Sequence, residues 1–380
     1  MSDQFLNRLE NEIKILQDKN LYREVRLYPN SRLNLCSNDY FQLRKHPQVT
    51  AGSIKACEDY GTGSGGSPLL SGYLPCHQSL LDQLRQWKHK SYGMLLNAGF
   101  MANQAVLKHL PGINDLILAD KLIHNSIAQG LMQGQARFKR YQHLDLNHLR
   151  DLLEANFHSY ETVFVVTESI FSMDGDYPDL RKLVELKQQY PFVLILDEAH
   201  GTGVFGATGA GLAEEMQVQS HVDIIIGTLG KSLASMGAYI LSDSPIVIDY
   251  LINRAGEFIY STFLSPAQVG AAESALKILQ SGQDQRRALQ KISKQFREIM
   301  NLEDQTTNEH PSPIVPIVIG DPIRTLELRN YLLQKGVMVG AIRPPTVPPQ
   351  TSRLRVSLHT GITEENLVEL GSLIKPWITS

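Results

Sequence analysis

Between residues 80 and 240 the chain repeats one device: a short run that is apolar almost throughout, then a stretch with helical spacing. The runs are YGMLLN, LILAD, TVFVVTES, FVLILDEAH, HVDIIIGTLG and GAYILSD. A strand with one face in water alternates apolar and polar residues. These do not alternate, so both of their faces are expected to be covered, as in a mostly parallel sheet between helical layers. HQSLLDQLRQWKH, GFMANQAVLKHL, NSIAQGLMQG, LNHLRDLLEAN and DLRKLVELKQQY supply the crossovers that parallel strands require. The fold class is therefore α/β, with a large domain built on that sheet. A helical stretch from 265 to 302 follows, then a polar, proline-bearing connector, EDQTTNEHPSP, at 303–313. IVPIVIGD, the helix TLELRNYLLQKG, the strands VMVGAI and RLRVSLH and the helix TEENLVELGSLIK then form a small α+β unit. Residues 4–20 have helical periodicity, with Phe5, Leu9, Ile13 and Leu16 or Gln17 on one face. The expected division is an N-terminal helix and arm at 1–45, a large domain at 46–285 and a small C-terminal domain at 286–380.

With 380 residues the chain can bury a large core. A formal net charge of -3 offers no general basic surface for nucleic acid. No apolar run approaches membrane-spanning length, and the N-terminus reads as an amphipathic helix, not a signal peptide. Cys36, Cys57 and Cys76 fit no metal-ligand spacing and read as reduced thiols of a cytoplasmic protein.

Four features tend to fall where a strand of an open α/β sheet ends, the place such sheets put their active sites. Lys231, in GTLGKSLAS, is either a surface lysine in a turn or an amine that attacks a carbonyl once partly desolvated. Asp197 and His200, in LDEAHGTG, follow the strand VLIL. A structural or nucleotide-site aspartate is the rival reading, but no GxxxxGK[ST] loop precedes it. Gly99 and Phe100, in NAGFMANQ, open a helix whose free N–H groups could hold a phosphate or could form an ordinary turn. His124, in KLIHNSI, could stack on a ring or serve as a plain surface histidine. Glu168, Ser169 and Ser172 follow another strand, and Asp174-Gly175 reads as a turn. The glycine-rich stretch GTGSGGSPLLSGY at 61–73 is either a flexible loop or a close approach to a ligand. It follows no convincing strand and has no acid about 20 residues on, which argues against an NAD(P) site. A phosphate site, a stacking ring, an acid for a ring nitrogen and a lysine together are what pyridoxal 5'-phosphate (PLP) needs.

The strings SNDYF, GTGSGGSPLLSGY, TESIFSMDGD, LDEAHGTGVFG, GTLGKS, IYSTFLSP and AIRPPTVP resemble those of the α-oxoamine synthases, a fold-type-I PLP family, from about Leu33 to Ile374. The resemblance implies a large PLP-binding domain with a seven-stranded type of sheet and a smaller C-terminal domain. It implies that Lys231 forms a Schiff base with the cofactor, that Asp197 partners its pyridine nitrogen, that His200 lies near its phenolate oxygen and that His124 stacks on the ring. Ser172 would bond the cofactor, and Gly99, Phe100 and Thr228 would surround its phosphate. Ser261 and Thr262 would reach the phosphate across the interface of a homodimer with shared active sites. Within one chain they could instead cap the helix from Pro266. Arg355 would hold an amino-acid carboxylate, Asn38 would bind substrate, and Thr346 and Arg23 would meet the acyl group. The implied reaction condenses L-alanine with pimeloyl-CoA or a pimeloyl-carrier protein, releasing coenzyme A and CO2, in biotin biosynthesis. Glycine C-acetyltransferase, 5-aminolevulinate synthase and serine palmitoyltransferase share the core residues. The segment IRPPTVP favours the alanine branch.

Overall fold

Seven strands form the central sheet of the computed structural model, which describes residues 1–25, 27, 32–302 and 310–378. Strand β1 (Leu33–Asn34) lies outside that sheet. The seven are β2 (Tyr92–Leu96), β3 (Leu116–Asp120), β4 (Arg137–Tyr141), β5 (Val163–Glu168), β6 (Val193–Asp197), β7 (Ile224–Thr228) and β8 (Ala238–Ser242). Their order is β2-β8-β7-β6-β5-β3-β4, and only β8 runs antiparallel to its neighbours. Burial explains the apolar runs, since every residue of β3, β5 and β8 is buried. In-register pairing of β5 with β6 sets Glu168 beside Asp197, and β7 ends next to them at Thr228. One sheet edge thus collects the carboxylates and leads into the lysine loop.

The expected helices lie at Pro75–Lys88, Gly99–His109, Asn125–Gln133, Leu146–Asn156 and Leu180–Gln189. Not every element was expected from the sequence. Strand β4 is an edge strand with four of five residues exposed, so RFKRY has no apolar signature. The helix Pro47–Tyr60 was also unforeseen. The stretch 265–302 divides into two helices, Pro266–Gln280 and Gln283–Met300.

A three-stranded antiparallel sheet, order β11-β12-β9, builds the small unit from β9 (Ile314–Gly320), β11 (Gly340–Ile342) and β12 (Ser352–Ser357). VMVGAI does not stay one strand. Its first two residues form β10 (Val337–Met338), which pairs in parallel with β1. Leu33 and Leu35 accordingly pack in the small unit's core with Val337 and Val356, so the expected arm of 1–45 is shared between units. The helix Gln283–Met300 gives Leu289 to the large core and Phe296 and Met300 to the small one, so it packs in both. The connector at 303–313 lies outside the described residues as far as 309. The helix Asp3–Asp18 forms as its periodicity predicts, yet buries none of its residues. Among the described residues no helix is long and apolar enough to cross a membrane.

Candidate active site

Asp197 closes β6 and is 6% exposed. Its Oδ1 accepts from Ala199 N–H at 2.8 Å and its Oδ2 from Asn103 Nδ2 at 2.8 Å. These two donors fix the orientation of the carboxylate. Beside it, Glu168 is wholly enclosed, and burial together with Asp197 holds its carboxyl well above the usual range. Its Oε1 accepts the backbone N–H of His124, which anchors the loop after β3 to β5. The His124 Nδ1 faces Ser126, with Oγ at 2.7 Å and the backbone N at 3.2 Å, and so caps the helix Asn125–Gln133. Burial pushes the His124 imidazole down, Asp197 works against this, and Lys231 adds to it.

Lys231 sits in the loop between β7 and β8. That loop is closed by Leu229 N–H on Gly237 O at 2.9 Å and Ala234 N–H on Lys231 O at 2.8 Å. Burial brings its amine down to about 8, against the pull of Asp197 and Glu168. His200 is buried, and desolvation followed by Lys231 holds it well below its usual value. Tyr40 OH lies 2.7 Å from His200 Nδ1. Burial raises that phenol to about 12, with Arg355 opposing, so the hydroxyl keeps its proton and donates it to the ring. His200 is thereby left with Nε2–H for another partner.

The helix Gly99–His109 begins without a side-chain cap, so its first N–H groups are open. A Cβ on Gly99 would lie 3.6 Å from Thr228 Cβ, which brings the two expected phosphate neighbours together. Phe100 is partly exposed beside them. The glycine-rich stretch is no free loop. Ser64 Oγ donates to Phe263 O at 3.0 Å, Ser67 Oγ to Ile259 O at 2.7 Å, and Phe263 N–H to Gly66 O at 2.9 Å. It therefore grips the YSTF segment. A side chain on Gly72 would meet Gly66 O at 2.1 Å, so the stretch needs glycine there to fold back on itself. Ser261 Oγ donates to Glu257 O at 3.0 Å, and Asn97 Nδ2 donates to Thr262 O at 2.6 Å. The cap of the next helix is a box formed by Ser265 and Gln268, so Ser261 and Thr262 do not cap it.

Arg355 reaches from β12 of the small unit across to the large one. Its Nε donates to Ser172 O, its Nη1 to Ser357 Oγ at 2.7 Å and its Nη2 to Asn38 Oδ1 at 3.2 Å. Ser172 thus meets Arg355 through its carbonyl. Arg23 Nη2 donates to Thr346 Oγ1 at 3.3 Å, so those two expected residues also meet. Residues near the site that were not singled out in the sequence include Tyr40, Ser126, Asn103, Arg329 and Arg343. Asn103 stands one turn after Gly99 on a helix already suspected, and that spacing is the signal for it. Arg329 and Arg343 had no such signal, because their neighbours come from distant parts of the chain. Among the described residues no group of His, Cys, Asp or Glu is placed to hold a metal ion.

The donor set fits PLP. Asp197 offers a carboxylate to a pyridine nitrogen, Lys231 an amine to an aldehyde and the open helix N-terminus its N–H groups to a phosphate. Comparisons with known proteins agree. Residues 30–373 match the family profile "Aminotransferase class I and II". An 8-amino-7-oxononanoate synthase of Geobacter sulfurreducens is 38% identical over 372 residues, 94% of this chain and 95% of that one. The crystal structure of 8-amino-7-oxononanoate synthase from Francisella tularensis is similar at TM-score 0.79 and 28% identity, over 91% of this chain and 98% of that one. A serine palmitoyltransferase from S. paucimobilis, solved with PLP and myriocin, shares the fold at TM-score 0.89 and 23% identity, over 98% and 97% of the two chains.

Proposed function

The chain belongs to the α-oxoamine synthase family of fold-type-I PLP enzymes, and from that premise we propose that it condenses L-alanine with a pimeloyl thioester to give 8-amino-7-oxononanoate and CO2. Coenzyme A or a carrier protein is the thiol released. Bound PLP supplies an electron sink for negative charge at the amino-acid Cα. Asp197 holds the pyridine nitrogen protonated. Arg355, steadied by Asn38, Ser172 and Ser357, takes the alanine carboxylate with its planar fork. The Lys231 amine, brought down to about 8, takes the Cα proton and can later return one. His124 would assist by stacking on the cofactor ring or by a hydrogen bond to the thioester oxygen as charge grows there. His200, held by Tyr40 on Nδ1, would offer its Nε2–H to the cofactor's ring oxygen.

One observation carries the choice of acyl chain. Burial lowers the Arg343 side chain, and the Arg329 and Arg23 guanidinium groups lower it further, so three cations converge beside Thr346. Among the described residues none of the three bonds a carboxylate. An uncharged fatty chain would leave this charge unanswered, whereas the distal carboxylate of a pimeloyl group neutralises it. Thiol release should be measured for L-alanine, glycine and L-serine with pimeloyl-, heptanoyl-, acetyl- and palmitoyl-CoA. L-Alanine with pimeloyl-CoA should give the highest kcat/KM. Arg343→Ala should cost about 30-fold with pimeloyl-CoA and much less with heptanoyl-CoA, which lacks the distal charge. Glycine with acetyl-CoA, or L-serine with palmitoyl-CoA, as the best pair would overturn the reading. The working unit on this reading is a homodimer. Its support is the YSTF segment, pinned by residues 64–67 yet presenting Tyr260 at 86% exposure beside the outward Leu70, also at 86%.

A further inference from the structure

We infer that Asn103 and Ser126 are positioning residues that hold the proton of His124 on Nε2 and tie that ring to the carboxylate of Asp197. The inference rests on the reading of the site given above. A count of hydrogens carries it. The Asn103 side-chain nitrogen has two, and it faces Asp197 Oδ2 at 2.8 Å and Ser126 Oγ at 2.9 Å. Ser126 Oγ therefore accepts from Asn103, and its own single hydrogen is left for His124 Nδ1 at 2.7 Å. The Ser126 backbone N–H points at the same nitrogen from 3.2 Å. Two donors on Nδ1 leave no room for a hydrogen there, so the neutral ring carries its hydrogen on Nε2.

The reverse arrangement fails. A hydrogen on Nδ1 would face the Ser126 N–H head on, and the serine hydroxyl would lose its acceptor. Rotating the Asn103 amide fails too, because Oδ1 would then face the Asp197 carboxylate. Among the described residues Asn103 Oδ1, itself buried, has no hydrogen-bond partner. An orphaned buried carbonyl is a net cost, and an apolar side chain in this 3%-exposed position would avoid it. What the asparagine adds is its NH2 group. All four members stand on regular elements: Asn103 within Gly99–His109, His124 and Ser126 at the start of Asn125–Gln133, and Asp197 at the end of β6. The charged and titratable groups that face His124 are Asp197, Lys231 and His200, with Glu168 on its backbone N–H. A ring held in this way donates a hydrogen bond to a developing oxyanion and does not compete with Lys231 for the Cα proton.

The test is a long-range 1H–15N correlation spectrum of protein labelled with 15N at histidine, recorded on the holoenzyme without substrate. His124 is assigned by loss of its signals in His124→Gln. Wild-type His124 should show the Nε2–H form alone between pH 6 and 8. In Ser126→Ala and in Asn103→Leu it should become a mixture of tautomers, and its pKa should rise by about one unit. Ser126→Thr, which keeps the hydroxyl, should restore the wild-type signature. In turnover with the preferred substrates, Ser126→Ala should lower kcat about tenfold with KM for the amino acid within about twofold. A wild-type Nδ1–H tautomer overturns the inference without any variant having to fold, as do unchanged 15N shifts in both folded variants. The spectrum contains no substrate, so an error in the proposed substrates leaves this result untouched.

Discussion

Both ring nitrogens of His143 bond a carboxylate, Nδ1 to Asp120 Oδ1 at 2.8 Å and Nε2 to Asp176 Oδ2 at 3.0 Å. Asp120 ends β3, and Asp176 belongs to the turn that carries Ser172 and Asp174. Arg353 bonds Asp174 in that turn, and Arg355 bonds Ser172 O. His143 therefore ties to the sheet the turn on which the carboxylate-binding arginine rests. Burial alone would lower this imidazole, but the two carboxylates outweigh burial and raise it to about 10. A folded-state value above the unfolded one means stability that is fully present below about pH 6.5 and is lost as pH climbs toward 10. His143→Gln should accordingly cost about 3 kcal/mol at pH 6, and its gap from wild type in urea melts should shrink steadily until it closes near pH 10. A gap independent of pH would show that the ring acts only by packing. At this scale the sequence is legible where a chemistry-bearing side chain follows a buried strand, as at Asp197, His200 and Lys231. Tyr40 and His143 escape notice because each acts through a partner from another part of the chain.

Legibility at the level of the element follows burial in the same way. Strands buried on both faces announce themselves, and β4 does not, because its edge position leaves its charged residues in water. The helix Pro47–Tyr60 hides for another reason. It packs against Pro266–Gln280 through glycines rather than through a leucine stripe. A Cβ on Gly52 would fall 2.0 Å from Ser274 Oγ and 2.7 Å from Gly270 O, and one on Gly270 would fall 2.3 Å from Gly52 O. Two backbones that meet this closely need no apolar periodicity, so the sequence carries little amphipathic signal there. Gly270→Leu should destabilise the fold by about 3 kcal/mol or more, since backbone cannot yield as a side-chain tip can. Gly63→Ala, with open space around it, is the control and should leave the melting temperature nearly unchanged. Equal effects of the two would refute the close-contact account.

For the molecule as a whole, subunit mixing tests the shared site. Lys231→Ala chains and chains carrying Ser261→Asp with Thr262→Asp should each be inactive alone. Mixed after subunit exchange, they should recover up to about half a dimer's activity per hybrid if the hydroxyls serve the neighbour's site, since one site then escapes both defects. Activity that stays at background, or a fully active monomer, would retire the shared site. The order of the strands has a further consequence, which lies in time. Among the described residues strand β2 hydrogen-bonds only to β8, made long after it, and β1 only to β10. While the chain is being synthesised, Leu95 and Leu96 leave the ribosome without the strand that will flank them, and Leu33 and Leu35 wait until Val337 has been added. Neither core can close early, so the nascent protein travels with sticky leucines showing, and shielding them in that interval falls to whatever in the cell binds unfinished chains.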